Sequence, residues 1–251
     1  MTRIVNGLLC LLVFVQFAGG HVVAAEDGNT SLWQRSIERN DLAKLRQLLP
    51  TGIDVHLTDR RGNTALMKAA RFGDLSLVDA LLVSGADVNQ VNHNGGTALM
   101  HAAFSGDSGV FRMLINKGAE LDVPANNGWT ALMFASAKGH DLLVREMLDL
   151  NANINTVDIY GWTALMRATG SGRGEVVQLL LTSLVIEIDR QNSDGQTALH
   201  IAVESKNPVI TGKLLTKGAS SKPRDGNGFT VLDYARKLQL PLIEKMIAAA
   251  S

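Results

Sequence analysis

A hexapeptide, Gly-x-Thr-Ala-Leu-Met, recurs through this chain at near-constant spacing and limits its fold more than any other feature. It starts at Gly62, Gly95, Gly128 and Gly161, then returns as Gly-Gln-Thr-Ala-Leu-His from Gly195 and Gly-Phe-Thr-Val-Leu-Asp from Gly228. The threonines fall at 64, 97, 130, 163, 197 and 230, in steps of 33, 33, 33, 34 and 33 residues. A fixed period of that length means stacked structural repeats.

The letters of one unit, Asp59–Val91, carry its local structure. Gly62 occupies a turn that needs a positive φ, which glycine reaches without Cβ strain. Thr64 caps a short helix, Ala65–Ala70, by accepting from a free amide of its first turn. Gly73-Asp74 breaks that helix and starts a second, Leu75–Val83, with Leu77, Val78, Leu81 and Leu82 at helical spacing. Gly85 ends the second helix in the left-handed region. Two helices this short cannot bury their apolar faces alone, whereas stacked neighbours can.

This pattern resembles the ankyrin repeat, which runs Asp-x-x-Gly-x-Thr-Pro-Leu-His-x-Ala-Ala and closes its second helix with Gly-Ala-Asp-Val-Asn. The resemblance covers nearly all of the chain beyond its first segment, in six agreeing registers. It departs in two places. Ala or Val231 replaces the family's proline, and Met67, Met100, Met133 and Met166 replace its histidine, which survives at His200. Alanine is tolerated at the first helical position, and methionine there serves as packing filler. The implied fold is an all-α repeat solenoid of helix-turn-helix units with β-hairpin fingers.

The expected organisation is a signal peptide over 1–25, an N-terminal capping repeat over 26–58, five repeats over 59–224 and a C-terminal capping repeat over 225–251. Arg3, the apolar run Leu8–Phe17 and Val23-Ala24-Ala25 form the layout of a secretory signal, cleaved after Ala25; an uncleaved anchor is the alternative. Cys10 does not fit a lipoprotein site, because Leu9 precedes it inside the apolar run. Cleavage removes this one cysteine, leaving no disulfide or thiol nucleophile. It also leaves 23 Lys+Arg against 24 Asp+Glu, and near-zero charge without a basic tract argues against nucleic acid. No later apolar run is long enough to span a membrane. In the caps, Leu238, Leu240, Leu242, Ile243, Met246 and Ile247 are expected to bury inward. Ser183–Glu187, lacking the helix-ending glycine, and Lys206-Asn207-Pro208 predict a kinked junction, either functional or drift.

Catalytic constellations are nearly absent. Gly106-Asp107-Ser108-Gly109 resembles a serine nucleophile loop but falls on a helix-to-helix turn without a triad. The histidines have no metal-ligand spacing, and the glycines are explained by the period rather than by a phosphate loop. The expectation is a non-enzymatic chain without cofactor or metal.

Function must then sit where residues vary on a fixed frame. The resemblance implies a concave groove lined by turn tips and first helices, where ankyrin proteins bind partners. Candidate partner-binding residues are Arg60, Arg61, Phe72, His93, His101, Phe104, Trp129, Phe134, Tyr160, Trp162 and Arg167, with Arg71 and Lys138 beside them. Aromatic side chains with arginine are the composition of a binding hot spot, and in a chain only 5% aromatic these gather in repeats 59–191. The alternative is that Trp129 and Trp162 pack along adjacent fingers. The overall plan resembles periplasmic accessory proteins of secreted phospholipases A, which implies a monomer that restrains a lipase or acts as its immunity partner. A scaffold supporting an oxidative-stress enzyme such as catalase is the second reading.

Overall fold

The computed structural model describes residues 28–250, so the expected signal peptide lies outside the described residues. Fourteen α-helices run as seven consecutive pairs among them. The first pair is α1 (Gly28–Arg39) and α2 (Leu42–Leu48). Next come α3 (Ala65–Arg71) with α4 (Leu75–Val83), α5 (Ala98–Ser105) with α6 (Ser108–Asn116), and α7 (Ala131–Lys138) with α8 (Asp141–Asp149). The remaining pairs are α9 (Ala164–Gly170) and α10 (Gly174–Leu180), α11 (Ala198–Glu204) and α12 (Pro208–Thr216), and α13 (Val231–Lys237) and α14 (Pro241–Ala250).

Each boundary is chemically marked. The hydroxyls of Thr64, Thr97, Thr130, Thr163, Thr197 and Thr230 accept the N–H three residues on, starting every first helix from α3 to α13. Asp74, Asp107 and Asn207 cap α4, α6 and α12 in the same way. His140 and Arg173 stand at that position without a side-chain cap. They reach instead to the preceding repeat, His140 Nε2 to the Phe104 carbonyl at 3.1 Å and Arg173 Nε to that of Ala137 at 3.2 Å.

The core runs unbroken along the stack, through Leu66, Leu99, Leu132, Leu165 and Leu199 of the first helices and Leu81, Leu114, Met147, Leu180 and Leu214 of the second. Burying each such side chain contributes about 1.5–3 kcal/mol. Met67, Met100, Met133 and Met166 are buried filler, as expected of them. Small Ala69, Ala102, Ala135 and Ala168 let the first helices approach one another more closely than the second helices do through the central repeats.

Between pairs, the chain forms a closed turn: the Asp59 N–H donates to the Asn63 carbonyl at 2.9 Å and the Gly62 N–H to Asp59 at 2.9 Å. Among the described residues, pairing there amounts to one antiparallel bridge, Thr58 with Thr64. Each finger then hands one bond to the next. His93 N–H donates to Arg61, Asn126 to Asn94, Ile159 to Asn127, Ser193 to Tyr160 and Gly226 to Asp194. Gly128 shows why glycine is required: φ is +80°, and a Cβ would lie 2.6 Å from the Asp158 Cα.

Two expectations change. Leu242 does not bury inward but is 59% exposed, on the outer side of α14 like Leu142 and Val209 in their helices. The turn at Lys206 is regular: Lys206 takes the left-handed φ of 53°, Asn207 caps, and Pro208 opens α12. The irregularity is confined to the end of α10, two residues shorter than α4, after which Leu184 and Val185 stand out in solvent.

Candidate functional site

One pair of positions recurs on the finger side of every repeat: its first residue and the residue nine later, in the first helix. Asp59 meets Lys68 at 3.4 Å, Asp158 pairs with Arg167, and Asp225 accepts from the Tyr234 hydroxyl at 2.6 Å. The acid also knots its finger. Asp158 accepts the N–H groups of Tyr160 and Trp162 at 2.9 and 3.0 Å, and Asp59 accepts those of Arg61 and Asn63 at 2.9 Å each. Burial alone would raise the Asp59 and Asp225 carboxyls, but these bonds outweigh it and hold both below the usual range. The Asp225 bond pushes the Tyr234 hydroxyl up to about 12.

Three repeats lack this pair, having Asn92 with His101, Ala125 with Phe134 and Asn192 with Ile201, and the first two of them are adjacent at the centre of the stack. Asn92 still knots its finger, accepting from Asn94 at 3.0 Å and Gly96 at 2.8 Å, but its amide turns to Asn63 rather than His101. Where the polar link is missing, a cavity of about 390 Å³ opens, lined by Arg71, Met100, His101, Phe104, Ala125 and Phe134 among others. Two of its walls are aromatic, Phe104 and Phe134, which meet edge to face at 6.2 Å; Trp129, not itself a lining residue, lies 4.7 Å from Phe134.

Cations frame this cavity. The Arg71 guanidinium and Lys138 ammonium lie 4.2 and 4.1 Å from the Phe104 ring centre, and neither has a carboxylate partner among the described residues. His101 is pushed down to about 4, by burial first and then by Arg71 and Lys68, so it is neutral at pH 7; its Nε2 is buried without a hydrogen-bond partner.

The structure brings His101, Phe104, Trp129, Phe134, Trp162 and Arg167 of the sequence candidates into one neighbourhood. It corrects the exposed tips expected for the tryptophans. Both are half-buried against the core, with the Arg167 guanidinium 4.6 Å from the Trp129 ring and 4.7 Å from that of Trp162. Phe72 and Tyr160 are exposed, at 55% and 61%, outside the ring contacts, with Ile159 beside Tyr160. Arg60 turns away to Glu38 at 3.8 Å, Arg61 serves through its carbonyl, and His93 lies over Gly62. Sequence reasoning missed Asp158, Met100 and Ala125. The signal available was the nine-residue spacing of acid and base, and its interruption at 92–134.

Among the described residues, no group of three or more His, Cys, Asp or Glu side chains is placed to hold a metal ion, and no helix is long and apolar enough to cross a membrane. Capped helix pairs stacked on a shared core, with fingers and first helices forming one surface, define a repeat scaffold. Family models agree: that for ankyrin repeats in three copies matches residues 23–125 and 117–192, and that for a single ankyrin repeat matches 194–225. The chain belongs to the ankyrin repeat family. Over 67 residues it is 39% identical to the BTB/POZ domain and ankyrin repeat-containing protein NPR1 of Malus hupehensis, a match covering 27% of this chain and 11% of that protein. The crystal structure of the human ASB11 ankyrin repeat domain is similar at TM-score 0.74 and 26% identity, over 87% of this chain and 97% of that one. Ankyrin repeats are protein-interaction scaffolds, typically without enzymatic activity.

Proposed function

We propose that this chain is exported to the periplasm and grips one partner protein by the surface between its central fingers and first helices, restraining that partner without catalysing a reaction. The observation that carries the binding site is the opening at Asn92–His101 and Ala125–Phe134, where Phe104 and Phe134 wall a pocket at positions that the repeats starting at Asp59 and Asp158 close with a polar pair. A partner side chain seated there would be desolvated on aromatic walls, the setting in which a few residues dominate affinity. The resemblance to accessory proteins of secreted phospholipases A names the first partner to test. Bound over such an enzyme, the scaffold would cover its active site or hold it from its productive dimer or membrane-bound form.

The experiment is capture from the periplasm with the tagged protein, alongside a folded Phe104→Ala/Phe134→Ala variant. The reading requires one specific partner, lost in the variant; undiminished capture by the folded variant sinks the site. For the partner class, purified phospholipase A is assayed on phospholipid vesicles with excess scaffold, and unchanged hydrolysis removes the lipase reading. Cell fractionation tests export, and a cytoplasmic protein ends it.

A further inference from the structure

We propose that the central pocket is built for an acidic segment of the partner, an extended stretch in which an aromatic or aliphatic side chain is flanked by carboxylates. This rests on the reading that the surface holds a protein, and adds the chemistry of what is held. Met100, Ala125, Phe104 and Phe134 give the pocket an apolar stretch beside the lining asparagines Asn92, Asn94, Asn126 and Asn127, and about 390 Å³ has room for one large side chain. The rim carries cationic charge. Arg71 and Lys138 approach the Phe104 ring from within 4.2 Å, and their charge is left unanswered.

Two carboxylates on the finger side of the same surface do not cancel it. Asp59 is engaged by Lys68 and Asp158 by Arg167, both acids being buried, so each pair is close to neutral seen from the pocket. The local field is therefore positive although the whole chain is formally neutral. Farther along the stack the sign reverses, with Asp194, Glu204 and Asp225 lining a shallower polar hollow beside Tyr234. An acidic segment is drawn to the centre and repelled from that end, which fixes where it lies. A guanidinium or ammonium bound to a ring face keeps its N–H groups free for a carboxylate, so the apolar and charged contacts do not compete.

The test pans a phage-displayed library of random dodecapeptides on the immobilised protein and, in parallel, on Arg71→Glu/Lys138→Glu. The expected outcome on the native protein is enrichment of Asp and Glu around Phe, Leu, Ile or Trp, absent on the variant. A synthetic peptide of the consensus sequence, followed by tryptophan fluorescence, should bind at least about tenfold more weakly to Arg71→Gln/Lys138→Gln and weaken as salt shortens the Debye length. The charge-conserving swap, Arg71→Lys/Lys138→Arg, should retain binding. No enrichment over bare support, enrichment without acids, or peptides recovered equally on the charge-reversed protein each overturn the proposal. Should the double variants unfold, the single substitutions and the salt titration on the native protein decide it. If the partner is still captured by the folded charge-reversed variant but lost by Phe104→Ala/Phe134→Ala, the protein-binding reading stands and this one fails.

Discussion

Arg167 reaches nine residues back along its own chain to the buried carboxylate of Asp158, and that ion pair holds a finger to the helix behind it. The carboxylate simultaneously accepts two finger N–H groups, so removing it leaves three donors without an acceptor. Asp158→Ala is expected to cost about 3 kcal/mol, the scale for breaking a buried pair by deleting one partner. Asp158→Asn should cost about 1 kcal/mol, because Asn92 and Asn192 knot their fingers through an amide oxygen at the same position. Urea unfolding midpoints separate the two; equal losses would mean that the charge on Asp158 matters and the turn bonds do not.

Stability should fall as the solution is acidified, in two stages. His101 binds its proton at about 4 when folded against an ordinary 6.5, so between those values the unfolded chain binds more protons. Folding stability should decline by about 1.4 kcal/mol per pH unit through that window. His200, buried and also depressed, acts in the same direction. Below about 4, Asp59 and Asp225 take over: their folded values are lowered, so stability present above the unfolded carboxylate range is lost as pH falls through them. Urea midpoints at pH 7, 5.5 and 4.5 measure the first stage. His101→Phe, which reproduces Phe134 one repeat on, should flatten it; an unchanged slope would assign the proton uptake elsewhere.

Ser136 and Thr169 are fully buried in the alanine stripe, and neither hydroxyl has a hydrogen-bond partner. Ala70 and Ala103 occupy the same place in earlier repeats, and Val203 does so in a later one. Ser136→Ala and Thr169→Val should each stabilise the protein by about 1 kcal/mol, since an unpaired hydroxyl leaves the interior. A loss of stability in both variants would show that these hydroxyls are bonded in solution.

Gly128→Ala combines a positive φ with a Cβ 2.6 Å from the Asp158 backbone, where no flexible side chain can yield. The expected loss is at least about 2 kcal/mol. Gly118→Ala, with φ +87° but open space around it, should lose less. The difference between their melting temperatures isolates the contact between fingers.

The helix pairs were legible in the sequence because their determinants are local: Thr64 to Met67 and Asp74 to Leu77 are each three residues apart. The direction of Trp129 and Trp162 was not. Where such a ring settles depends on side chains off the finger, and here both meet Arg167, which is in the next repeat for Trp129, 38 residues on, and in its own repeat for Trp162, 5 residues on. The pocket was hidden for a related reason. Ala125 looks ordinary alone and acquires meaning as the missing partner of position 134, beside Asp59–Lys68 and Asp158–Arg167 on either side. Leu242 was misplaced because its apolar side chain was counted into the buried stripe, whereas the second position of a second helix faces outward, as Leu142 and Val209 do in interior repeats.

The main-chain hydrogen bond that recurs from each finger to the next marks joints set in series along the molecule. A pull applied at the two ends loads each joint with the full force and lets none of them share it. Each repeat leans only on its neighbours, so extension should proceed as a sawtooth of detachments, beginning where a terminal helix pair has a neighbour on one side only. Such a chain behaves as an elastic strip, and a partner lying across its central repeats would act as a splint.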